Sequence, residues 1–272
     1  MCANEDGEAC RYIIELIYQR CRIRLHDGKE SLIRARLGKL MRPRGIEQLA
    51  DYVRFLQHQA GEEEFTKVVD ALTTNHTQFL READHFDYLV RQALPGLLRP
   101  GARRFRVWSA ACSSGEEPYT LAMYLAEHFP LQESWDWQIT ATDISTKVLA
   151  VAQRGIYSME RAEGVSDAWL RKHFQKGYGT SQGFVRVRPE LKERVQFAQL
   201  NLVKPYSHAV PFEVVFCRNV MIYFDRPTQE QLIHQLCRYL VPGGYLFTGH
   251  SEGLNGLRIP LRCLQPSIYR KD

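Results

Sequence analysis

The sequence predicts an α/β fold, in which a largely parallel sheet with helices on both faces follows an all-α N-terminal domain and carries a small antiparallel β insertion. Three observations predict it. Residues 11–72 pattern as helices with no strand-like run between them; from about residue 104 short apolar runs alternate with helical segments; and VWSAACSSGEEP (107–118) passes from a strand through a tight turn into a helix. Alternation of that kind buries a parallel sheet between two helical layers.

The N-terminal helices read as RYIIELIYQRC, SLIRARLGKLM, IEQLADYVRFLQHQ and EEEFTKVVDAL, broken at Asp27-Gly28, Pro43-Arg44-Gly45 and Gly61. Glu62, Glu63 and Glu64 open the last of them, where carboxylates complement the helix dipole, so this acidic run is a helix start rather than a binding site. The strands read as FRVWSAA, WQITATDI, VQFAQLNL, FEVVFCRN and GGYLFTGH, rich in β-branched and aromatic residues. Ligands on such sheets bind beyond the carboxyl ends of the strands, which makes the residues after each run the site candidates. QKGYGTSQGFVRVRPELKER interrupts the alternation, and Gly177, Gly179 and Gly183 around FVRVR predict a β-hairpin insertion at about 175–194.

Composition narrows the classes. With 44% hydrophobic residues in 272 the chain can bury a substantial core, which excludes disorder. No run approaches the ~20 apolar residues of a membrane span, and the opening MCANEDGEAC is no signal peptide. Seven cysteines, odd in number and without CxxC, argue against a disulfide framework or a zinc site and for a reducing cytoplasm. The nine histidines show no HExxH or paired ligand spacing, so no metal is expected. A net charge of +5 favours acidic partners only weakly.

The glycine-poor turn is the most informative stretch. A pyrophosphate at a helix N-terminus wants bare backbone N–H groups, whereas Glu116 and Glu117 stand there and would repel a dinucleotide. An adenosine cofactor with no phosphate and a cationic sulfonium would be attracted instead, and S-adenosylmethionine is that molecule. The plainer alternative is that both acids only complement the dipole, with Pro118 in the first helical turn. Asp143, ending the second strand, stands where an acid holds ribose hydroxyls in nucleotide-binding sheets, or else caps the helix beginning near Ser145. Taken together, the acid turn and Asp143 favour the phosphate-free adenosine cofactor.

Five blocks then carry a resemblance: ALTTNHTQFLREADHF (71–86), VWSAACSSGEEPYTLAM (107–123), ATDIS (141–145), FCRNVMIYFD (216–225) and GGYLFTGHSE (243–252). Over nearly its whole length the chain resembles the chemoreceptor glutamate methyltransferases, the CheR family. The resemblance implies a Rossmann-like class I methyltransferase sheet of seven strands, the last antiparallel. It divides the chain into a helical domain (1–72), a linker contributing to the cofactor site (73–98) and a catalytic domain (99–272). It implies Asn75, Thr77, Arg81, Glu117, Asp143, Asn201, Leu202, Arg218 and Asn219 as contacts to S-adenosylmethionine, with Arg81 and Tyr223 at the reaction end. Two positions depart from the family pattern. Phe79-Leu80-Arg81 replaces the usual Phe-Phe-Arg, a volume-conserving change, and His76 stands where many members have a small or acidic residue.

The implied reaction moves a methyl group from the sulfonium to a glutamate carboxylate of methyl-accepting chemotaxis receptors, leaving S-adenosylhomocysteine, in a cytoplasmic, monomeric enzyme of chemotactic adaptation. A Glu with a pKa near ~4.3 is already ionised at pH 7, so no general base is needed. Arg81 would guide the substrate carboxylate, or pair with the cofactor carboxylate or Glu82; Tyr223 would sit beside the sulfonium, or simply pack on the core. Arg34, Arg36, Lys39 and Arg42 spread over the face opposite Ile33, Leu37, Leu40 and Met41, a basic surface for docking a glutamate-bearing helical receptor, or merely a solvated face; docking is the favoured reading. The insertion resembles the version that takes a receptor's C-terminal tail peptide as an added strand.

Three other readings compete with this one. Gly249-His250-Ser251-Glu252-Gly253 fits the G-x-S-x-G elbow of hydrolases, yet no His follows Ser251 and Gly256 and Pro260 break the required helix. A nucleic-acid methyltransferase is suggested by the pI near 8.8, but Asn219-Val220-Met221-Ile222-Tyr223 lacks the Pro-Pro of base-amino methylases. A non-catalytic domain that binds the cofactor is opposed by the intact Arg81, Asn219 and Tyr223. Neither nucleic acid nor membrane insertion is expected.

Overall fold

The computed structural model describes residues 2–25, 28–98, 100–130 and 133–272, with side chains from Glu5 onward. Four helices open the chain: α1 (Cys2–Cys21), α2 (Glu30–Met41), α3 (Leu49–His58) and α4 (Glu62–Leu72). Helix α1 starts nine residues before the patterned RYIIELIYQRC, because Ala9 and Cys10 already reach the core and extend its buried stripe. Asp27 of the expected first break lies outside the described residues, while Gly45 ends the second in the left-handed region at φ 67°. Ile13, Ile17, Ile33, Leu37, Tyr52, Val68 and Leu72 form a separate core for this unit. Glu64 opens α4 as expected, but it is buried, bound by Tyr52 Oη at 2.6 Å and by Arg44.

A linker leads to a helical run made of α5 (Asp84–Tyr88), a π turn at Leu89–Ala93 and α6 (Leu94–Leu97). The sheet-bearing unit follows: β1 (Arg104–Ala110), α7 (Glu116–His128), β2 (Asp136–Asp143), α8 (Thr146–Arg154), β3 (Ile156–Ser158), α9 (Asp167–His173), β4 (Phe174–Lys176), β5 (Phe184–Val187), α10 (Pro189–Lys192), β6 (Val195–Gln199), β7 (Phe212–Cys217), α11 (Arg226–Tyr239), β8 (Leu240–Phe247), β9 (Leu261–Gln265) and β10 (Ile268–Lys271). Seven strands form one sheet in the order β6-β2-β1-β7-β8-β10-β9. The first five run parallel and β10 runs antiparallel to β8, as the resemblance implies. Reading runs alone missed β9 and β10, because β9 is an exposed edge strand with no apolar alternation.

A second sheet, β3-β5-β4, is antiparallel throughout. The β4 and β5 strands form the expected hairpin, but the third strand comes from 156–158, ahead of the 175–194 segment; a three-residue strand is too short to show periodicity. Residues 250–260 hold no helix, so the hydrolase elbow has no structural counterpart.

Candidate active site

The strand order reverses about β1, and a cleft opens beyond the carboxyl ends of β1, β2 and β7. Asn75, Thr77, Arg81, Glu117, Asp143, Asn201, Leu202, Arg218, Asn219 and Tyr223 all line it, together with His76. The linker is held over the cleft from both sides. Arg36 Nη1 donates to the carbonyls of Leu72 and Thr73 at 3.1 Å, and Ser113 Oγ donates to the Asn75 carbonyl at 2.8 Å. Phe79 anchors the far end, edge-on to Tyr157 and Phe174 in the sheet's core. Leu80 takes φ 59° and donates its N–H to Thr120 Oγ1 at 3.2 Å.

The turn after β1 alternates left-handed residues: Ala111 (φ 66°), Ser113 (φ 50°) and Gly115 (φ 96°). One glycine suffices because only at Gly115 would a Cβ collide, 2.8 Å from both Ala152 Cβ and Tyr157 Oη. Asp143 accepts from Ser113 N at 2.8 Å and from Ser145 N at 2.9 Å, so it straps two turns together. It is not the cap of α8: Ser145 Oγ fills that role, accepting from Val148 N. Burial raises the Asp143 carboxyl above its ordinary value, against the pull of those backbone N–H groups.

The two acids of the turn do not act together. Successive residues on a helix point about 100° apart, and Glu117 faces the cleft while Glu116 turns away, fully buried, to Ser114 Oγ and Arg161. Nor is the lining negative: Arg24, Lys29, Arg36, Arg81 and Arg218 outnumber Glu117 and Asp143. The expected rejection of phosphate by two adjacent carboxylates is therefore corrected. What opposes phosphate is local: the Ser113 N–H that would bind it is already held by Asp143.

Arg218 is buried and joins three elements. Its Nη1 lies 3.0 Å from Glu117 Oε2, its Nη2 2.9 Å from Glu82 Oε2, and it also donates to the Arg81 carbonyl at 2.6 Å. Ser109 Oγ donates to the other Glu117 oxygen at 2.7 Å. Burial raises the Glu117 carboxyl despite Arg218; for Glu82 burial also opposes ionisation, but Arg218 outweighs it and holds the group below the ordinary range. Glu82 thus pairs with Arg218, leaving Arg81 with the His76 carbonyl at 3.1 Å. The sequence offered Glu82 only as a partner for the adjacent Arg81, because its actual partner lies 136 positions away.

Asn219 takes φ 57°, and the turn around it is organised by the buried Glu252, which accepts from the backbone N–H of Asn219, Met221 and Gly249 at 2.6, 2.7 and 2.7 Å. This residue of the GHSE block was also missed; its signal was an acid in the turn that follows β8. Tyr223 borders the cleft half-buried, its carbonyl held by Arg24 N at 2.9 Å. The Asn201 side chain is engaged elsewhere, donating to the Arg20 carbonyl at 2.9 Å and accepting from Val203 N, so it joins the helical domain to the cleft floor. Leu202 belongs to the core beneath.

Of the basic face, Arg34 pairs with Asp6 at 2.8 Å, and Lys39 and Arg42 are exposed. Arg36 is not on the outer surface, as its carbonyl contacts place it at the cleft; position on a helical wheel cannot reveal which flank a neighbouring domain covers.

Residues 75–269 match the family model described as CheR methyltransferase, SAM binding domain, and residues 8–73 match CheR methyltransferase, all-alpha domain. Among curated relatives, the chemotaxis protein methyltransferase of Escherichia coli (strain K12) is 42% identical over 260 residues, covering 95% of this chain and 89% of that protein. That of Salmonella typhimurium is 41% identical, covering 91% and 84%, and chemotaxis protein methyltransferase 1 of Pseudomonas aeruginosa is 39% identical, covering 98% of each.

Proposed function

The chain belongs to the CheR methyltransferase family and is an S-adenosylmethionine-dependent methyltransferase; from that premise we propose that it esterifies glutamate side chains of methyl-accepting chemotaxis receptors. The observation that carries the proposal is one cleft lined by Glu117, in the first turn of α7, and by Asp143, at the end of β2, together with the basic Arg24, Lys29, Arg36 and Arg81. The acids fit the cofactor and the basic side chains fit an anionic protein substrate. Asp143 engages each oxygen with one backbone N–H, leaving lone pairs for ribose hydroxyls. Ile144, Leu200 and Leu202 offer an apolar wall for an adenine ring.

When bound, S-adenosylmethionine supplies an electrophilic methyl group. The substrate carboxylate is ionised at neutral pH, so this chain's residues have only to orient it and keep water out. Arg81 is half-buried in the cleft lining, with a planar fork suited to a carboxylate. Tyr223 offers its ring to the cationic centre. Arg218 is a positioning residue, holding Glu117 and the linker in register.

Incubation with radiolabelled cofactor and receptor-bearing membranes tests the reading. Base-labile label on receptor that disappears with Arg81→Ala supports it; label on RNA, or base-stable label on protein, overturns it.

The finer assignments rest on the same reading. Residues 73–98 serve as a linker that contributes to the site, and the enzyme works in the cytoplasm as a monomer, which sedimentation velocity checks. Among the described residues no helix is long and apolar enough to cross a membrane. Lys39 and Arg42 dock the receptor's methylation helices. The small sheet presents short edge strands beside exposed Tyr178 and Phe184, an arrangement suited to adding a receptor tail as a further strand. Calorimetry with receptor C-terminal peptides decides this; no heat from any peptide leaves the sheet a brace only.

A further inference from the structure

We propose that Glu82, His85 and His250 form a binding site for a divalent transition-metal ion of the zinc type, outside the cofactor cleft. Each offers one ligand atom, and the three atoms lie within 4.8 Å of one another. None of the three lines the cleft.

The hydrogen bonds around His85 point to a missing cation. Ser267 Oγ lies 2.6 Å from the Pro266 carbonyl and 2.7 Å from His85 Nε2, and a Ser267 proton given to that carbonyl goes with an Nε2–H donor on His85. In that tautomer the Nδ1 atom of His85 carries a lone pair. It is fully buried, has no hydrogen-bond partner among the described residues and faces Glu82 Oε2 at 3.5 Å. Glu82 Oε2 already accepts from Arg218 Nη2 at 2.9 Å and from the His250 N–H at 3.3 Å, so a metal ion would share that oxygen with the guanidinium while giving the buried His85 Nδ1 a partner. Ligands of a tetrahedral zinc ion with bonds of about 2.1 Å stand roughly 3.4 Å apart, so this pair already has the spacing of two ligands.

His250 supplies the third position. Its Nε2 meets Asp84 Oδ2 at 3.1 Å, the carboxylate contact that orients a ligating imidazole and leaves Nδ1 free to bind. Its side chain is 50% exposed, so it can swing inward and admit water to complete the coordination. Glu82 and Asp84 stand beside the single guanidinium of Arg218, a balance of one negative charge at the site. Two nitrogens and one oxygen select zinc-like ions over calcium or magnesium. Histidine spacing could not reveal the site, because His250 lies 165 positions from His85.

The test uses the full chain carrying Cys263→Ser, which removes an exposed thiol ligand, after treatment with chelator. Titration with Co2+ is followed by visible absorption, with Zn2+ and Mg2+ as competitors. Expected are one Co2+ per chain, displacement by Zn2+ but not Mg2+, and weakening by about tenfold or more in His250→Ala. His250→Ala alters an exposed residue, and a cooperative melt verifies its fold; Asp84→Asn should weaken binding less. No stoichiometric binding, or binding unchanged in His250→Ala, overturns the proposal. Because the readout is metal binding alone, its failure leaves the methyltransferase reading untouched.

Discussion

Arg218 lies 3.0 Å from Glu117 and holds Glu82 with its other terminal nitrogen, so one buried guanidinium locks the first helix of the sheet to the linker above the cleft. Removing one member of a buried ion network costs about 3–5 kcal/mol because the remaining charges are left unpaired. Arg218→Met should lose that much stability in urea denaturation and should also weaken S-adenosylmethionine binding. Unchanged affinity in a folded Arg218→Met would show that the network is not a positioning device.

At Gly115 a methyl group meets both a positive φ and two atoms 2.8 Å away. Gly115→Ala should therefore destabilise the protein by about 2–4 kcal/mol and displace the turn that carries Glu117. Thermal denaturation together with cofactor calorimetry measures both effects. A drop in stability with normal affinity would confine the strain to the side facing α8.

Arg161 is the only charged partner of Glu116 among the described residues, although the two lie on different sheets' connections. Burial already raises the Glu116 carboxyl above its ordinary value, against Arg161 and Ser114. In Arg161→Ala the native state binds a proton that the unfolded chain releases, so stability falls as pH rises above the unfolded carboxyl range. The variant's deficit should be larger at pH 8 than at pH 5, and Arg161→Ala with Glu116→Gln should recover part of it. A deficit independent of pH would remove Glu116 from the explanation.

Asp225 caps α11 through Thr228 N at 3.0 Å and accepts from Tyr18 Oη at 2.6 Å, joining the first helix of the chain to the catalytic unit. The hydrogen bonds from Thr228 and Tyr18 lower its pKa to about 2. This stabilisation is complete above the unfolded value of about 3.9 and is lost as pH falls through the folded value. Asp225→Ala should cost about 1 kcal/mol at pH 7, with the two proteins converging in chemical denaturation as pH approaches 2.

Arg81 makes its one side-chain hydrogen bond, among the described residues, to the His76 carbonyl on its own loop. Arg81→Ala should therefore leave the melting temperature nearly unchanged while lowering kcat/KM for receptor methylation by about a hundredfold. Equal losses of rate and stability would assign Arg81 to the framework instead.

The sequence by itself determined the elements: the helical periodicity of 11–72, the apolar runs that became the parallel strands, and the single glycine at the turn into α7. Local backbone and burial preferences fix these, and they are written within a few residues of where they act. It also nominated Glu117 and Asp143, because strand ends and turns mark where a sheet of this kind binds, while the family resemblance of its motifs added Arg81 and Tyr223. Only the tertiary structure decided which way charged side chains face. Glu116 and Glu117 are adjacent in the chain yet pair with Arg161 and Arg218 on opposite sides, and Arg36 turns from the basic face to the linker carbonyls. Glu82 finds Arg218, and Glu252 finds the Asn219 turn, only after distant segments meet. An ion pair depends on which elements pack together, and no local period in the chain encodes that choice.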